Sequence, residues 1–243
     1  METSKLVIIP TYNEKENIEK MVRKVFSMKG SFHILVVDDG SPDGTATIVK
    51  RLMKEFPTSL FILERSGKLG LGTAYIAGFN WAIEHKYDYI FEMDADFSHD
   101  PDDLIRLHDA CAVEGADMSI GSRYCRGIAV KDWPVGRILM SYGASFYVRS
   151  VLGIKIYDST AGFICYSRKV LETINLQNIR MKGYGFQIEM KYSTYKLGFK
   201  IQEVPIIFVD RTEGTSKMSS GIFGEAFWGV MKLKMRKIKP RRR

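Results

Sequence analysis

The sequence of 243 residues contains only three cysteines, Cys111, Cys125 and Cys165, which are odd in number and far apart. This scarcity excludes a disulfide framework and a cysteine-based zinc motif, and it favours a reducing, cytosolic setting. Long apolar runs are also missing, since the longest stretch without a charged residue covers only the fifteen residues 69–83. A membrane-spanning helix needs about 18 or more apolar residues, so none is predicted. The N-terminus lacks the basic and apolar regions of a secretory signal peptide.

Acidic residues are absent from the last twelve positions, where Lys232–Arg243 carries eight basic residues. The whole chain has 36 Lys and Arg against 28 Asp and Glu, so residues 1–231 hold 28 of each sign. The body of the protein is therefore neutral, unlike the diffusely basic domains that bind nucleic acid. We predict one domain over residues 1–231 and a basic C-terminal tail over residues 232–243, suited to an anionic lipid or nucleic acid.

The composition is that of a folded protein, with 45% hydrophobic and 26% charged residues. In the first half, short apolar and β-branched segments alternate with segments of helical period, which predicts an α/β fold whose mostly parallel sheet has helices on both faces. The predicted strands are Leu6–Thr11, His33–Val37, Leu60–Leu63, Tyr89–Met93, Met118–Gly121, Gly162–Tyr166 and Ile201–Val209. The predicted helices are Glu14–Met28, Thr45–Phe56, Thr73–His85, Pro101–Val113, Val135–Leu152, Phe186–Leu197 and Ile222–Ile238.

Three of these strands end in unusual polar clusters, residues 10–14 (PTYNE), 38–44 (DDGSPDG) and 94–101 (DADFSHDP). Ligands of open α/β sheets bind beyond the carboxyl ends of the strands, so we expect the three clusters to meet at one edge. Asp94 and Asp96 form a pair that can hold a hard divalent cation together with diphosphate oxygens, and Ser98 can add an oxygen ligand. The alternative for this pair is a solvated strand end before the next helix.

Asp39 follows the second strand, where doubly wound folds often place an acid that contacts a nucleotide, although the same segment is also strong turn chemistry. Neither a Gly-x-Gly-x-x-Gly motif after the first strand nor a Walker lysine motif occurs, which disfavours dinucleotide oxidoreductases and P-loop proteins. In the second half, Arg123, Arg211 and Lys217 follow strands and are candidates to bind phosphate. Taken singly, each is more often a solvated surface charge than a phosphate ligand.

Together these motifs resemble those of the dolichyl-phosphate (polyprenyl-phosphate) β-mannosyltransferases, inverting glycosyltransferases of the GT-A fold. The resemblance runs from about residue 5 to 235, and its specific part is residues 93–101 (MDADFSHDP) with the late FVDR and SK motifs. It implies that a Rossmann-like GT-A domain transfers mannose from GDP-mannose to a polyprenyl phosphate with inversion, releasing GDP.

The resemblance also implies roles for individual residues. By this resemblance, the guanine and ribose contacts are Pro10, Tyr12, Glu14, Val37 and Asp39. The diphosphate and metal site comprises Asp94, Ala95 and Asp96, and Ser98 also touches the metal. The phosphate contacts are Arg123, Arg211 and Lys217. The metal is Mg²⁺ or Mn²⁺, with Asp96 as its main ligand and Asp94 assisting. Asp94, Asp96 and Arg123 are the residues expected to carry catalysis.

The expected partners are GDP-mannose, a polyprenyl or dolichyl phosphate, a membrane surface bound through the basic tail and a membrane-anchoring protein, with no nucleic acid. The enzyme is accordingly expected in the cytoplasm, peripheral at the cytoplasmic face of a membrane. For the last helix and tail, the alternative is a packed helix with a solubilising extension. Two functional alternatives remain: the same fold with another donor, such as UDP-glucose, and a non-catalytic nucleotide-sugar binding module.

Overall fold

The computed structural model of the protein describes residues 3–210 and 222–241, with side chains given for residues 3–210 and 227–241. The strands are β1 (Lys5–Thr11), β2 (Phe32–Asp38), β3 (Leu60–Glu64), β4 (Tyr89–Glu92), β5 (Met118–Ser122), β6 (Val130–Lys131), β7 (Ile164–Ser167), β8 (Ile201–Pro205) and β9 (Phe208–Val209). The helices are α1 (Ile18–Ser27), α2 (Thr45–Leu52), α3 (Leu71–Glu84), α4 (Asp103–Ala112), α5 (Val135–Leu152), α6 (Arg168–Thr173), α7 (Tyr184–Lys196) and α8 (Ile222–Met235).

The main sheet has the strand order β3-β2-β1-β4-β7-β5-β8, and every neighbouring pair is parallel except the two pairs that involve β7. Apolar side chains cover both faces of this sheet, because strands buried on both sides are nearly continuous hydrophobic runs. One apolar layer includes residues of α1, α2 and α4, and the other includes residues of α3, α5, α6, α7 and α8. The predicted mostly parallel α/β sheet with helices on both faces is confirmed.

Besides shifted helix ends and the unpredicted short helix α6, two details of the sequence-based prediction are wrong. Ile201–Val209 is not one strand, because the pairing with β5 ends at Pro205, and β9 pairs instead with the unpredicted strand β6. The first helix begins at Ile18 and not at Glu14, since Asn13 has a positive φ of 59° and the backbone turns there before the helix starts. Both differences arise in connecting segments, where turn chemistry outweighs apolar periodicity.

The basic segment packs on the domain over its described part. Helix α8 continues to Met235, and Leu233 is buried in the core, so the division predicted at residue 231 falls inside a helix. Beyond α8, the Arg236 guanidinium contacts the buried carboxylate of Glu189, and the backbone N–H of Arg241 donates to the Thr173 carbonyl at 2.7 Å. Within the described ranges, no helix is both long and apolar enough to cross a membrane.

Candidate active site

The sheet register places the polar clusters at neighbouring strand ends. Pro10 pairs with Val37 across β1 and β2, and Ile8 pairs with Glu92 across β1 and β4. Asp94, two residues beyond Glu92, therefore lies level with Pro10. The expectation that the three clusters share one edge of the sheet is confirmed.

Hydrogen bonds join the loops that follow β1 and β2 into one unit. The buried Asp38 carboxylate accepts from the Thr11 hydroxyl at 2.8 Å and from the Ser41 hydroxyl at 2.6 Å. Asp43 accepts from the backbone N–H and the hydroxyl of Thr45 at the start of α2. Because Asp38 and Asp43 are occupied in this way, they shape the loops, and the neighbouring Asp39 is left as the acidic side chain for a ligand.

Asp39 is buried, and its Oδ2 accepts from the backbone N–H of Leu69 at 3.2 Å. Its Oδ1 lies 3.2 Å from Nη1 of Arg65, but the two atoms are not aligned for a hydrogen bond. The loop after β3 also places the Lys68 ammonium 4.8 Å from the centre of the Tyr12 ring. The predicted Tyr12 and Asp39 thus lie beside two basic residues, Arg65 and Lys68, that the sequence reasoning did not assign.

The acid pair lies in a tight loop at the end of β4. Phe97 adopts a positive φ of 59°, which is uncommon for a residue with a side chain and marks a locally strained turn. In this turn, Asp96 Oδ1 accepts the backbone N–H of Ser98 at 3.1 Å. The hydroxyl of the buried Tyr75 donates to Asp94 Oδ1 at 3.4 Å, which orients the first carboxylate from below.

A cavity of about 500 Å³ opens beside these acids. Its polar side includes Asp94, Asp96, Ser98, His99, Arg123, Arg137, Thr160 and Gln187. Its apolar side is formed by residues of α5 and α8, among them Met140, Ala144, Tyr147, Val148, Phe227 and Val230. The cavity therefore has carboxylates and guanidinium groups on one side and an apolar wall on the other.

Arg123 is held in this cavity by a buried ion pair. Its Nε and Nη2 donate to the two oxygens of Asp158 at 2.7 and 2.6 Å, and its Nη2 also donates to the Thr160 hydroxyl. Burial alone raises the pKa of the Asp158 carboxyl, but the charge and hydrogen bonds of Arg123 outweigh it and hold the pKa below its ordinary value. The guanidinium is thereby oriented before any ligand arrives.

Three buried polar atoms on side chains that line the cavity have no hydrogen-bond partner among the described residues. They are Nδ1 of His99, Nε1 of Trp133 and Oε1 of Gln187. Burial lowers the pKa of His99 to about 4, so its imidazole is neutral at pH 7. Buried polar groups in native proteins are nearly always paired, so these atoms indicate that the cavity takes a polar ligand.

A second buried network lies behind Gln187. The Glu92 carboxylate on β4 accepts from the Tyr166 hydroxyl at 3.0 Å and from the Gln187 amide. The Lys191 ammonium donates to the Ala161 carbonyl at 2.6 Å. Burial raises the pKa of Glu92 to about 7 and lowers the pKa of Lys191 to about 8, while their opposite charges oppose both shifts.

The outer sides of α5 and α8 expose apolar residues at helical spacing. We call this surface the apolar ridge, and it comprises Leu139, Met140, Tyr142 and Phe146 of α5 with Phe227, Trp228, Met231 and Met235 of α8. The helices meet where the rings of Tyr147 and Phe227 stack with their centres 4.6 Å apart. Trp228 is 65% and Met235 78% exposed, whereas a surface helix of a globular domain normally turns its apolar stripe inward.

Comparison with known proteins identifies the family. Residues 6–174 match glycosyl transferase family 2. The chain is 46% identical over 230 residues to the polyprenol monophosphomannose synthase of Mycolicibacterium smegmatis, covering 93% of this chain and 86% of the relative. It is also 46% identical to the undecaprenyl-phosphate mannosyltransferase of Micrococcus luteus, covering 93% of each chain. The chain belongs to glycosyl transferase family 2. It is a glycosyltransferase, and the resemblance to the polyprenyl-phosphate mannosyltransferases is confirmed.

Solved structures of more distant enzymes show the same fold. Glucosyl-3-phosphoglycerate synthase from Mycobacterium tuberculosis, in complex with Mn²⁺, UDP and glucosyl-3-phosphoglycerate, superimposes with a TM-score of 0.66 at 19% identity over 95% of this chain and 78% of that chain. The same enzyme with Mg²⁺ and UDP gives a TM-score of 0.66 at 18% identity, covering 94% of this chain and 79% of that chain. These structures place the family 2 domain in the predicted GT-A fold.

The structure places the predicted site residues in two groups. The cavity is lined by Asp94, Asp96, Ser98 and Arg123. At or just beyond the ends of β1 and β2 lie Pro10, Tyr12, Glu14, Val37 and Asp39. The other two predicted residues, Arg211 and Lys217, lie outside the described residues. The side chains of Val37 and Ala95 are buried in the apolar core, so only the backbone of each can face a ligand.

Sequence reasoning missed several residues of this family 2 site. Arg137, Asp158, Gln187 and Lys191 were not singled out, because each is isolated from the strand-end clusters along the chain. The sequence carries no signal for Lys191, because its burial within α7 is visible only in the structure. Buried charges are nearly always paired, and the charge of Lys191 opposes that of Glu92.

Proposed function

We propose that this glycosyltransferase transfers mannose from GDP-mannose to a polyprenyl or dolichyl phosphate, with inversion, giving polyprenyl phosphate β-mannose and GDP. The observation that carries the proposal is the cavity, which carboxylates and guanidinium groups line together with an apolar wall. Such a site suits an acceptor whose phosphate must meet a sugar nucleotide while its hydrocarbon stays out of water. The names of the two bacterial relatives support a lipid phosphate acceptor and mannosyl transfer.

The nucleotide side is assigned to the joined loops after β1 and β2. We assign guanine and ribose contacts to Pro10, Tyr12, Glu14, Val37 and Asp39. Asp39 supports this role because its buried Oδ1, although ion-paired with Arg65 at 3.2 Å, accepts no hydrogen bond from the described residues, so a hydroxyl of the ligand can donate to it. The same loops lie next to the acid pair after β4, which keeps the nucleotide and its diphosphate within one edge of the sheet.

The acid pair fits a divalent cation. Asp94, Asp96 and Ser98 present carboxylate and hydroxyl oxygens, the ligands that Mg²⁺ and Mn²⁺ prefer. Over the described part of the chain, no three His, Cys, Asp or Glu side chains form a self-sufficient metal site. A cation at this pair would be held by one or two carboxylates together with the diphosphate of the substrate. When bound, the cation supplies positive charge beside the departing diphosphate, with Asp96 as main ligand and Asp94 assisting.

The acceptor phosphate is assigned to Arg137, which lines the cavity together with Arg123. Arg123 is fixed by Asp158, and Arg137 donates to Asp210 at 2.8 Å with its guanidinium carbon 3.9 Å from the Trp133 ring centre. An oxygen of the lipid phosphate attacks the anomeric carbon of mannose, while the bond from that carbon to the β-phosphate oxygen breaks. GDP leaves with the electron pair. The attacking phosphate is already ionised at neutral pH, so no strong general base is required.

Arg123 and the two predicted phosphate contacts that lie outside the described residues, Arg211 and Lys217, would neutralise charge that grows on the departing GDP. Preoriented cations in a water-poor site stabilise such charge strongly, because they need no reorganisation during the reaction. The orientation of Arg123 by Asp158 and Thr160 supports this role. Asp94, Asp96 and Arg123 are thus the residues to which we assign catalysis.

Membrane contact is part of the same proposal. The apolar ridge lies beside the apolar wall of the cavity. Exposed lysines lie on the same chain segment as α8, namely Lys232, Lys237 and Lys239. Apolar side chains that enter the headgroup region and basic residues that attract anionic lipids act together in interfacial helices. We propose that α5 and α8 rest on the cytoplasmic face of a membrane, with or without an anchoring protein, so that the lipid enters the cavity directly.

The test of the reaction is transfer of labelled mannose from GDP-mannose to a polyprenyl phosphate, with Mg²⁺, with Mn²⁺ and with chelator, beside UDP-glucose as donor. Mannolipid formed only from GDP-mannose and divalent cation, and lost in Asp96→Ala, is the expected result. Sugar transfer from UDP-glucose alone would overturn the donor assignment. No transfer from any donor would overturn the proposed function and favour a nucleotide-sugar binding role.

The test of membrane contact is flotation with vesicles that contain anionic lipid. Replacing Trp228 and Met235 by Ser is expected to reduce flotation, and deleting residues 237–243 is expected to reduce it further at low salt. The matched control replaces Val113, an exposed apolar residue at the C-terminal end of α4, by Ser. Unchanged flotation in both the ridge variant and the truncation would refute this part of the proposal.

A further inference from the structure

The Gln187 side chain carries a hydrogen-bond acceptor that none of the described residues uses. Gln187 lies on α7, is 2% exposed and lines the cavity that also contains Asp94 and Asp96. Its Nε2 donates to the Glu92 carboxylate, whereas its Oε1 is buried with no hydrogen-bond partner in the described part of the chain. A buried amide oxygen without a partner costs free energy, so a ligand that donates to it is expected.

The orientation of this amide is fixed by the chemistry of its neighbours. The Lys191 ammonium favours the ionised form of Glu92, and in that form the carboxylate only accepts hydrogen bonds, so the NH₂ group of Gln187 faces Glu92 and the amide oxygen points away from it. The other Glu92 oxygen is occupied by the Tyr166 hydroxyl at 3.0 Å. Turning the amide over would place oxygen against oxygen and lose the hydrogen bond.

Lys191 holds this arrangement in place from one turn further along α7. It is fully buried, its ammonium donates to the Ala161 carbonyl at 2.6 Å, and its charge opposes that of Glu92. Ala161 belongs to the same loop as Asp158 and Thr160, which orient Arg123. Glu92 and Lys191 are therefore positioning residues, and Gln187 is the member of the network that meets the cavity.

The ligand group that satisfies Oε1 must be a hydrogen-bond donor. A dianionic lipid phosphate offers acceptors only, and a polyprenyl chain offers neither donors nor acceptors. The hydroxyl groups of the transferred sugar are donors, and the sugar must lie between the diphosphate at Asp94 and Asp96 and the acceptor phosphate. We infer that Gln187 Oε1 accepts a hydrogen bond from a hydroxyl of the donor sugar and so contributes to sugar selection; this inference rests on the proposed function.

The experiment compares the wild-type enzyme with Gln187→Met, which keeps the length of the side chain and removes both the acceptor and the donor to Glu92. The donors are GDP-mannose and its four monodeoxy analogues, lacking the 2-, 3-, 4- or 6-hydroxyl. Gln187→Met is expected to lower kcat/KM for GDP-mannose about 10- to 100-fold, because the sugar hydroxyl loses its partner. One deoxy analogue is expected to show a similar loss with the wild-type enzyme and no further loss with the variant.

Three further measurements separate this role from others. The affinity for GDP and Mn²⁺ without sugar is expected to stay within about twofold in Gln187→Met, whereas a metal ligand or a purely structural residue would change it. Gln177→Met, the same substitution at an exposed site, is the control and is expected to match the wild type. Gln187→Glu keeps an oxygen towards the cavity but sets a second carboxylate against Glu92, so it is expected to lose activity as well.

The outcomes are distinguishable from failure of the proposed function. If the wild-type enzyme transfers no mannose, the proposed function falls. If it transfers mannose while Gln187→Met behaves as the wild type with every donor, this inference alone is overturned. Should Gln187→Met fail to bind GDP, the deoxy series on the wild-type enzyme decides, and equal rates with all four analogues would refute a hydroxyl contact.

Discussion

Replacing Asp158 by Asn removes one charge from the buried ion pair with Arg123 and leaves the shape of the side chain unchanged. Asp158 is fully buried and accepts three hydrogen bonds from Arg123, at 2.6, 2.7 and 3.0 Å, the last from its backbone N–H. The variant would leave the buried guanidinium without its counter-charge. Breaking such a pair by removing one partner costs about 3–5 kcal/mol of unfolding free energy.

The assay is thermal unfolding followed by circular dichroism. For a domain of this size, each kcal/mol corresponds to roughly 2–4 °C, so Asp158→Asn is expected to lower the Tm by roughly 6–20 °C. The control is Asp102→Asn, which removes an exposed ion pair with Lys24 at 2.8 Å and is expected to cost at most about 1 kcal/mol. A variant at position 158 that melts within a degree or two of the control would refute the reasoning.

The same pair predicts a pH dependence with a definite sign. The folded pKa of Asp158 lies below its unfolded value, so its contribution to stability is present above the unfolded pKa and is lost as the pH falls through the folded pKa. The difference in unfolding free energy between wild type and Asp158→Asn is therefore expected to be constant near neutrality and to shrink below about pH 4. A difference that grows on acidification would contradict this assignment.

Three further predictions test other parts of the fold. In the native protein a thiol reagent is expected to modify only Cys125, because the other two cysteines are buried. The reaction is expected to be slow, since burial raises the pKa of the Cys125 thiol. Unfolding should make all three thiols reactive, and rapid labelling of more than one in the native protein would contradict the packing. Gly78→Ala is expected to lower the free energy of unfolding by about 1–3 kcal/mol, because the added Cβ would lie 2.8 Å from the Ile8 side chain. Gly143→Ala, where the Cβ would meet open space beside α5, is expected to raise it by about 0.5–1 kcal/mol. Denaturant unfolding measures both changes. Arg236→Met is expected to cost about 1–3 kcal/mol in urea unfolding, since it removes the charged partner of a buried carboxylate, and no change would show that this segment does not pack on the domain.

Local chemistry accounts for the features that could be predicted. Buried strands are continuous apolar runs and helices repeat every 3.6 residues, so the alternation of the first half is visible without coordinates. Parallel strands that all end in polar residues must present those residues at one edge of the sheet. For this reason the sequence alone predicts that Pro10, Asp39 and Asp94 lie close together. The strand-end motifs were specific enough to indicate the family.

What the sequence by itself determined is therefore the fold class and the cluster of polar residues at the strand ends, both of which follow from short-range patterns. The tertiary structure alone decided the antiparallel placement of β7, the pairing of Arg123 with Asp158 and the amide network of Glu92, Gln187 and Lys191. The two members of such pairs lie up to 95 residues apart along the chain. Neither member is unusual until folding removes water from both, because only then must each buried charge and each buried amide find a partner.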